Sequence, residues 1–145
     1  MIYAATKKDL PVLAKLGIIL WKNHPLEELI NEFSIVMKNK NAQFFLYIIN
    51  DIPIGFAQCQ LRYDYVEGTT SSPVGYLEGI FILEKYRHLG YGKELLNACE
   101  KWAKNKGCRE FASDCELNNK DSLKFHLNAG FDEVNRIICF TKELK

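Results

Sequence analysis

The chain is poor in several features, and each shortage removes a class of protein. Its five cysteines include no Cys-x-x-Cys pair, and an odd number cannot close a complete disulfide framework. They read as reduced thiols, small core residues of a cytoplasmic protein. The three histidines, His24, His88 and His126, are scattered without ligand spacing or a cysteine cluster beside them, so no metal is expected. Net charge is nearly absent: 19 Lys and Arg against 18 Asp and Glu leave +1. That balance supplies no basic face for nucleic acid. No apolar run approaches the ~20 residues that cross a bilayer. Met1 to Ala5 runs straight into Thr6-Lys7-Lys8-Asp9, which is not the pattern of a secretory leader. Repeats, low-complexity tracts and linkers are also missing.

What remains is a globular composition: 145 residues, 48% of them apolar, enough for one domain over 1–145 and too few for two. Residues 2–5 read as a short strand. Thr6 with Asp9 three residues on resembles a capping box for a helix reaching Trp21. Asn23-His24-Pro25 breaks it, and a second helix is expected over 26–39. Strands are expected at 44–49 and 54–63, joined by a turn at Asn50-Asp51, and again at 74–83 after a polar loop. A helix from Gly90 to Lys104 follows, capped by Gly107. A strand over 111–115, a helix over 119–128 stopped by Gly130, and a terminal strand or pair of strands over 131–143 complete the pattern. Such an order builds a mixed α/β (α+β) sheet with helices on both faces.

The densest information lies in residues 76–92. An apolar strand from Tyr76 to Leu83 holds a single carboxylate, Glu78, which costs several kcal/mol to bury unless it is paired or working. A salt bridge to Arg62 or another neighbour across the sheet would be its purely structural explanation. The strand feeds a basic, glycine-rich turn, Arg87-His88-Leu89-Gly90-Tyr91-Gly92, that opens onto a helix. Strand, turn and helix N-terminus make a place for a phosphate-bearing ligand. A P-loop is excluded, because Glu94 follows Lys93 where a Ser or Thr hydroxyl belongs. A dinucleotide fingerprint is excluded too, since Leu95 occupies its third glycine position.

The surviving pattern, Arg-x-x-Gly-x-Gly after Ile80-Phe81-Ile82-Leu83 with Gly130-Phe131 closing a later helix, resembles the GNAT superfamily of acetyl-CoA-dependent N-acetyltransferases. The resemblance implies a GNAT fold with a mainly antiparallel central sheet. It implies a pyrophosphate held by Arg87, His88, Leu89, Gly90, Tyr91 and Gly92, and a pantetheine arm on the backbone of Ile80, Phe81 and Ile82. Asn119, Ser122 and Phe125 would line the other side of the acetyl-CoA.

Further blocks are more specific. Arg62-Tyr63-Asp64-Tyr65-Val66-Glu67-Gly68-Thr69, Ser72-Pro73-Val74, Leu77-Glu78-Gly79-Ile80-Phe81, Leu20-Trp21 with His24, and Glu110-Phe111-Ala112-Ser113-Asp114 resemble the aminoglycoside 6'-N-acetyltransferases. The implied substrate is a polycationic sugar, which asks for carboxylates and flat aromatic faces. By this resemblance Trp21, His24, Tyr65, Glu78 and Asp114 line the substrate pocket, and Glu78 or Asp114 takes a proton from the attacking amine. Asn135 stands where relatives can carry a glutamate. His126 stands where many superfamily members have a tyrosine proposed to protonate the departing thiolate. The resemblance also implies a homodimer in which terminal strands help to build the partner's site. Acetylation of another small amine, such as a polyamine, an amino sugar or a peptide N-terminus, remains an alternative, as does a non-catalytic cofactor sensor.

Overall fold

The computed structural model describes residues 1–145. Five strands lie in chain order across one sheet: β1 (Ile2–Ala4), β2 (Ala42–Ile49), β3 (Ile52–Arg62), β4 (Val74–Ile82) and β5 (Phe111–Ser113). The first three pairings are antiparallel and the last, β4 with β5, is parallel. The β2–β3 turn uses Asn50 and Asp51 at φ 49° and 66°, left-handed values that these two residue types tolerate.

Four helices cover the sheet: α1 (Leu10–Leu20), α2 (Leu26–Met37), α3 (Tyr91–Asn105) and α4 (Lys120–Asn128). A short 3₁₀ turn over Lys7–Asp9 leads into α1, and the Asp9 carboxylate accepts the Thr6 backbone N–H at 2.8 Å. On one face Leu13 and Ala14 of α1 and Leu29 and Phe33 of α2 pack onto Phe44, Leu46, Phe56 and Phe81. On the other face Leu95, Leu96 and Cys99 of α3 pack onto Ile54, Ala57, Cys59 and Leu77. Each large apolar side chain buried in this way contributes about 2 kcal/mol.

Two features of β4 position the site. Gln58 pairs with Gly79 but Cys59 pairs with Leu77, so Glu78 is the extra residue of a β-bulge. The bulge turns both Glu78 and Gly79 towards α1 and α2, while Leu77 and Ile80 on either side face α3. The parallel pairing with β5 ends at the same place, at Leu77 and Ser113. Beyond it β4 runs on to Ile82 with its outer edge open.

Two expectations from the sequence are corrected. Residues 131–143 form no strand: after Phe131 no backbone hydrogen bond ties the segment to the rest of the chain. Ile137, Ile138 and Phe140 have a strand's composition, but a strand also needs a neighbour to pair with, and none is offered within the chain. The cysteines divide: Cys59, Cys99 and Cys108 are buried, whereas Cys115 and Cys139 are exposed. Cys115 lies past the end of β5, and Cys139 lies in the unpaired terminal segment.

Candidate active site

At the far end of the open edge of β4 the chain makes an anion cradle. His88 at φ 63° and Gly90 at φ 91° reverse the backbone into α3. The backbone N–H groups of His88 through Lys93 take no partner within the chain. Consecutive unpaired N–H groups at a helix N-terminus concentrate positive potential, which suits a pyrophosphate. Arg87 is held there by its own bond, Nε donating to the Ile82 carbonyl at 2.8 Å. Leu89 is exposed, and Tyr91 packs on Tyr47 at 5.0 Å between ring centroids. The Tyr47 hydroxyl donates to Glu94, tying the first turn of α3 to β2. Burial and that bond push the Tyr47 phenol up to about 12.

Between cradle and bulge, alternation along β4 sorts the backbone. Leu83 N–H bonds the Ile54 carbonyl at 2.8 Å, so the amides of Ile80 and Ile82 point away from β3 to the open edge. Phe81 points its amide back at β3 and buries its ring under α1. Across the opening, Asn119 caps α4 by accepting the Ser122 N–H at 3.1 Å. Phe125 lies against Gly92, where an added Cβ would come within 3.0 Å of the ring. The resulting trough suits an extended, phosphate-ended chain such as coenzyme A.

On the α1/α2 face the bulge opens into a cavity of about 300 Å³ lined by Trp21, His24, Leu29, Glu32, Phe33, Val36, Gln58 and Glu78. The sequence had singled out Trp21, His24 and Glu78. Glu32 and Gln58 were missed, although Glu32 lies on the helix that follows His24 and Gln58 is a polar residue in a largely apolar strand. Trp21 is braced by Phe33 and Phe56, each at 6.0 Å between centroids. His24 Nδ1 lies 4.0 Å from Glu32 Oε1.

Glu78 is also paired. Both its oxygens accept from Arg62 Nη2, one at 2.9 Å, and the Arg62 guanidinium lies 3.4 Å over the Tyr76 ring. The Tyr76 hydroxyl in turn donates to Asp114. Burial and the bond to Asp114 raise the Tyr76 phenol well above its ordinary value. Burial alone would lower Arg62, but the bond and charge of Glu78 outweigh it and raise the guanidinium. The two carboxylates picked from the sequence are thereby joined through a cation and a phenol, Glu78 to Arg62 to Tyr76 to Asp114.

Tyr65 and Asn135 lie outside the cavity lining. Tyr65 is exposed on the loop after β3 and its hydroxyl accepts the Gly68 N–H at 3.4 Å. Asn135 donates to Glu67 at 2.6 Å, so both residues meet at that same loop.

A phosphate cradle, an open strand edge and a bulged carboxylate beside a cavity, set in one trough, define a transferase that takes an acyl group from coenzyme A. The chain belongs to the acetyltransferase (GNAT) family, whose model matches residues 9–131. It is 40% identical over 123 residues to an aminoglycoside N(6')-acetyltransferase type 1 of Salmonella typhimurium, covering 85% of each chain. A protein of the same name from Stenotrophomonas maltophilia is 36% identical over 143 residues, with 97% and 92% covered. The solved structure of AAC(6')-Iy with the bisubstrate analog CoA-S-monomethyl-acetylneamine matches with TM-score 0.95 and 37% identity, over 99% of this chain and 98% of that one.

Proposed function

We propose that the chain is an aminoglycoside 6'-N-acetyltransferase, transferring acetyl from acetyl-CoA to the 6'-amine of the antibiotic and so conferring resistance. The observation that carries this reading is the cavity: an aromatic wall and two carboxylates, Glu32 and Glu78, open beside the free edge of β4. Such a lining suits a ring that bears ammonium groups.

The chemistry is direct. The cradle and the amides of Ile80 and Ile82 hold acetyl-CoA, and one of those N–H groups polarises the thioester carbonyl. An alkyl ammonium must lose a proton before it can attack. Glu78 is the one of the two candidate bases that lines the cavity, so it accepts that proton, directly or through a water. Arg62 pairs with both Glu78 oxygens and holds the carboxylate in place. Asp114 adds negative charge at the end of the chain of bonds. Tyr65 on the loop after β3, and Asn135 bonded to Glu67 of that loop, contribute from outside the cavity lining. No residue needs to carry the acetyl group.

The enzyme acts in the cytoplasm, where acetyl-CoA is available and five unpaired thiols are tolerated. It acts as a homodimer. Support comes from the terminal segment, whose Ile137, Ile138, Phe140 and Leu144 are 70–88% exposed and which offers an unpaired backbone. A second copy would supply both the cover and the ladder. Light scattering should give twice the chain mass, and loss of the dimer on removing residues 137–145 is expected.

The deciding experiment is CoA thiol release with acetyl-CoA and a panel of aminoglycosides. Turnover of tobramycin and kanamycin, with none for a gentamicin component lacking a free 6'-amine, is expected. Silence across the panel with acetyl-CoA still binding would discard the antibiotic and leave the acetyltransferase.

A further inference from the structure

Ser113 takes no part in the mechanism above, yet it stands where the two strands of the trough part. It is the last residue of β5 paired with β4, opposite Leu77, and its Oγ lies 3.4 Å from the Leu77 carbonyl. Glu78 is the next residue along β4. An acyl-thiol carrier anchored at the cradle and laid along the open edge brings its reactive end to this apex.

Behind Ser113 sits His126 of α4, with Nε2 2.7 Å from Ser113 Oγ. On its other side Nδ1 lies 2.7 Å from the Ser122 carbonyl and 3.4 Å from the Ser122 hydroxyl. A carbonyl oxygen only accepts, so Nδ1 carries a proton in either charge state. Phe125 and Phe131 flank the ring at 5.7 and 5.1 Å and hold its orientation. The arrangement is a hydroxyl, an imidazole behind it and an orienting acceptor behind that, a constellation that moves protons.

We infer that Ser113 is a catalytic residue of the transfer, handing a proton from His126 to the sulfur of the departing coenzyme A. In the imidazolium form, Nε2–H donates to Ser113 Oγ, and the hydroxyl hydrogen, held only by a 3.4 Å bond to the Leu77 carbonyl, turns into the opening. Once Glu78 has passed the ammonium proton on to solvent, the free amine forms its bond to the acetyl carbon and the carbon–sulfur bond breaks. The second proton, shed by the nitrogen of the nascent amide, passes to Glu78. The thiolate takes the Ser113 hydroxyl proton while Oγ takes the proton on Nε2. His126 is left neutral with its proton on Nδ1, and solvent returns the proton from Glu78 to Nε2. His126 acts through Ser113 and is a positioning and relay residue.

This inference rests on acetyl transfer from coenzyme A and not on the antibiotic. Its test compares Ser113→Ala, Ser113→Thr, His126→Gln and the double variant Ser113→Ala/His126→Gln. The readouts are kcat, acetyl-CoA affinity and thermal midpoint, with an aminoglycoside as acceptor. If the wild type acetylates no aminoglycoside, the proposed substrate fails. The same variants are then compared on another accepted amine, or on slow transfer of acetyl to water, which needs the same protonation of sulfur. Ser113→Ala is expected to lower kcat about 10²-fold with acetyl-CoA affinity within about twofold, and Ser113→Thr to recover most of the loss. His126→Gln should match Ser113→Ala, and the double variant should be no slower than either, because a relay fails as a unit. The proton inventory of kcat should bow in the wild type and straighten in Ser113→Ala. Retained kcat in Ser113→Ala, a loss confined to acetyl-CoA affinity or to the thermal midpoint, or single losses that multiply would each overturn the inference.

Discussion

Gly79 makes room for Trp21. A Cβ at position 79 would lie 2.7 Å from both Cζ2 and Cη2 of the indole, closer than any unstrained contact. The ring cannot retreat easily, because Phe33 and Phe56 brace it. The bulge at Glu78 therefore needs a glycine after it: the two residues share a face, and only one of them has space for a side chain.

Gly79→Ala should push the Trp21 ring into the cavity at a cost of about 1–3 kcal/mol, the range for overpacked interiors. The expected kinetic result is a raised KM for the aminoglycoside with the acetyl-CoA dissociation constant within about twofold. Both are measured by varying one substrate at saturation of the other. Equal losses for the two substrates would mean that the indole does not belong to the acceptor site.

Glu78→Gln keeps the shape of the side chain but removes the proton acceptor, and should lower kcat by about 10²-fold or more. Arg62→Met leaves the Glu78 carboxylate, 18% exposed, without its partner and should cost about 1 kcal/mol of stability. Adding Glu78→Met to Arg62→Met should recover that stability while leaving the enzyme inactive. Urea melts of the three variants beside their kcat values separate holding the fold from moving the proton.

Alkaline stability should depend on Tyr47. Its phenol is raised from 10.0 to about 12 in the folded chain by burial and by donation to Glu94. A group whose value is higher when folded favours the folded state below its unfolded value. That contribution is therefore complete below pH 10 and is lost as pH rises through about 12. Tyr47→Phe should start less stable at neutral pH, and its thermal midpoint should fall less steeply than the wild type's across that window.

Acid should loosen the loop that carries Tyr65. Glu110 accepts from the Ser71 hydroxyl and from the Thr70 N–H at 2.9 Å. Those bonds, the hydroxyl first, hold its carboxyl below the usual range. The anchoring is present above the ordinary carboxylate value and is lost as pH falls through the lowered one. Glu110→Gln should show at neutral pH the faster hydrogen exchange at residues 64–71 that the wild type shows only in acid.

How much of this the sequence disclosed depended on the range of the forces involved. The Asn50-Asp51 turn and the break at Asn23-His24-Pro25 are local, and their residues announce them. The turn into α3 was legible for a similar reason, since Gly90 at φ 91° answers a backbone demand beside a basic residue. Glu78 drew notice as a carboxylate in an apolar strand, and the Arg62 pairing raised for it on structural grounds is present in the fold. The bulge that aims it was hidden, because one extra residue in a ladder shows only against the partner strand. Glu32 and Gln58 escaped because exposed glutamates on helices are common and the cavity joins residues from the α1–α2 connection, α2, β3 and β4. The terminal segment misled because apolar composition favours a strand but does not supply one with a neighbour.

The cradle has a consequence for how such an enzyme diversifies. The grip on the anion proposed for it rests on the unpartnered main-chain N–H groups from His88 to Lys93, which most replacements of the side chains leave intact. The cavity proposed for the acceptor is written almost wholly in side chains, drawn from α2, β3, β4 and the connection before α2. Selection by a changing set of antibiotics can therefore rewrite one wall of the trough, residue by residue, while the donor stays in register on the other.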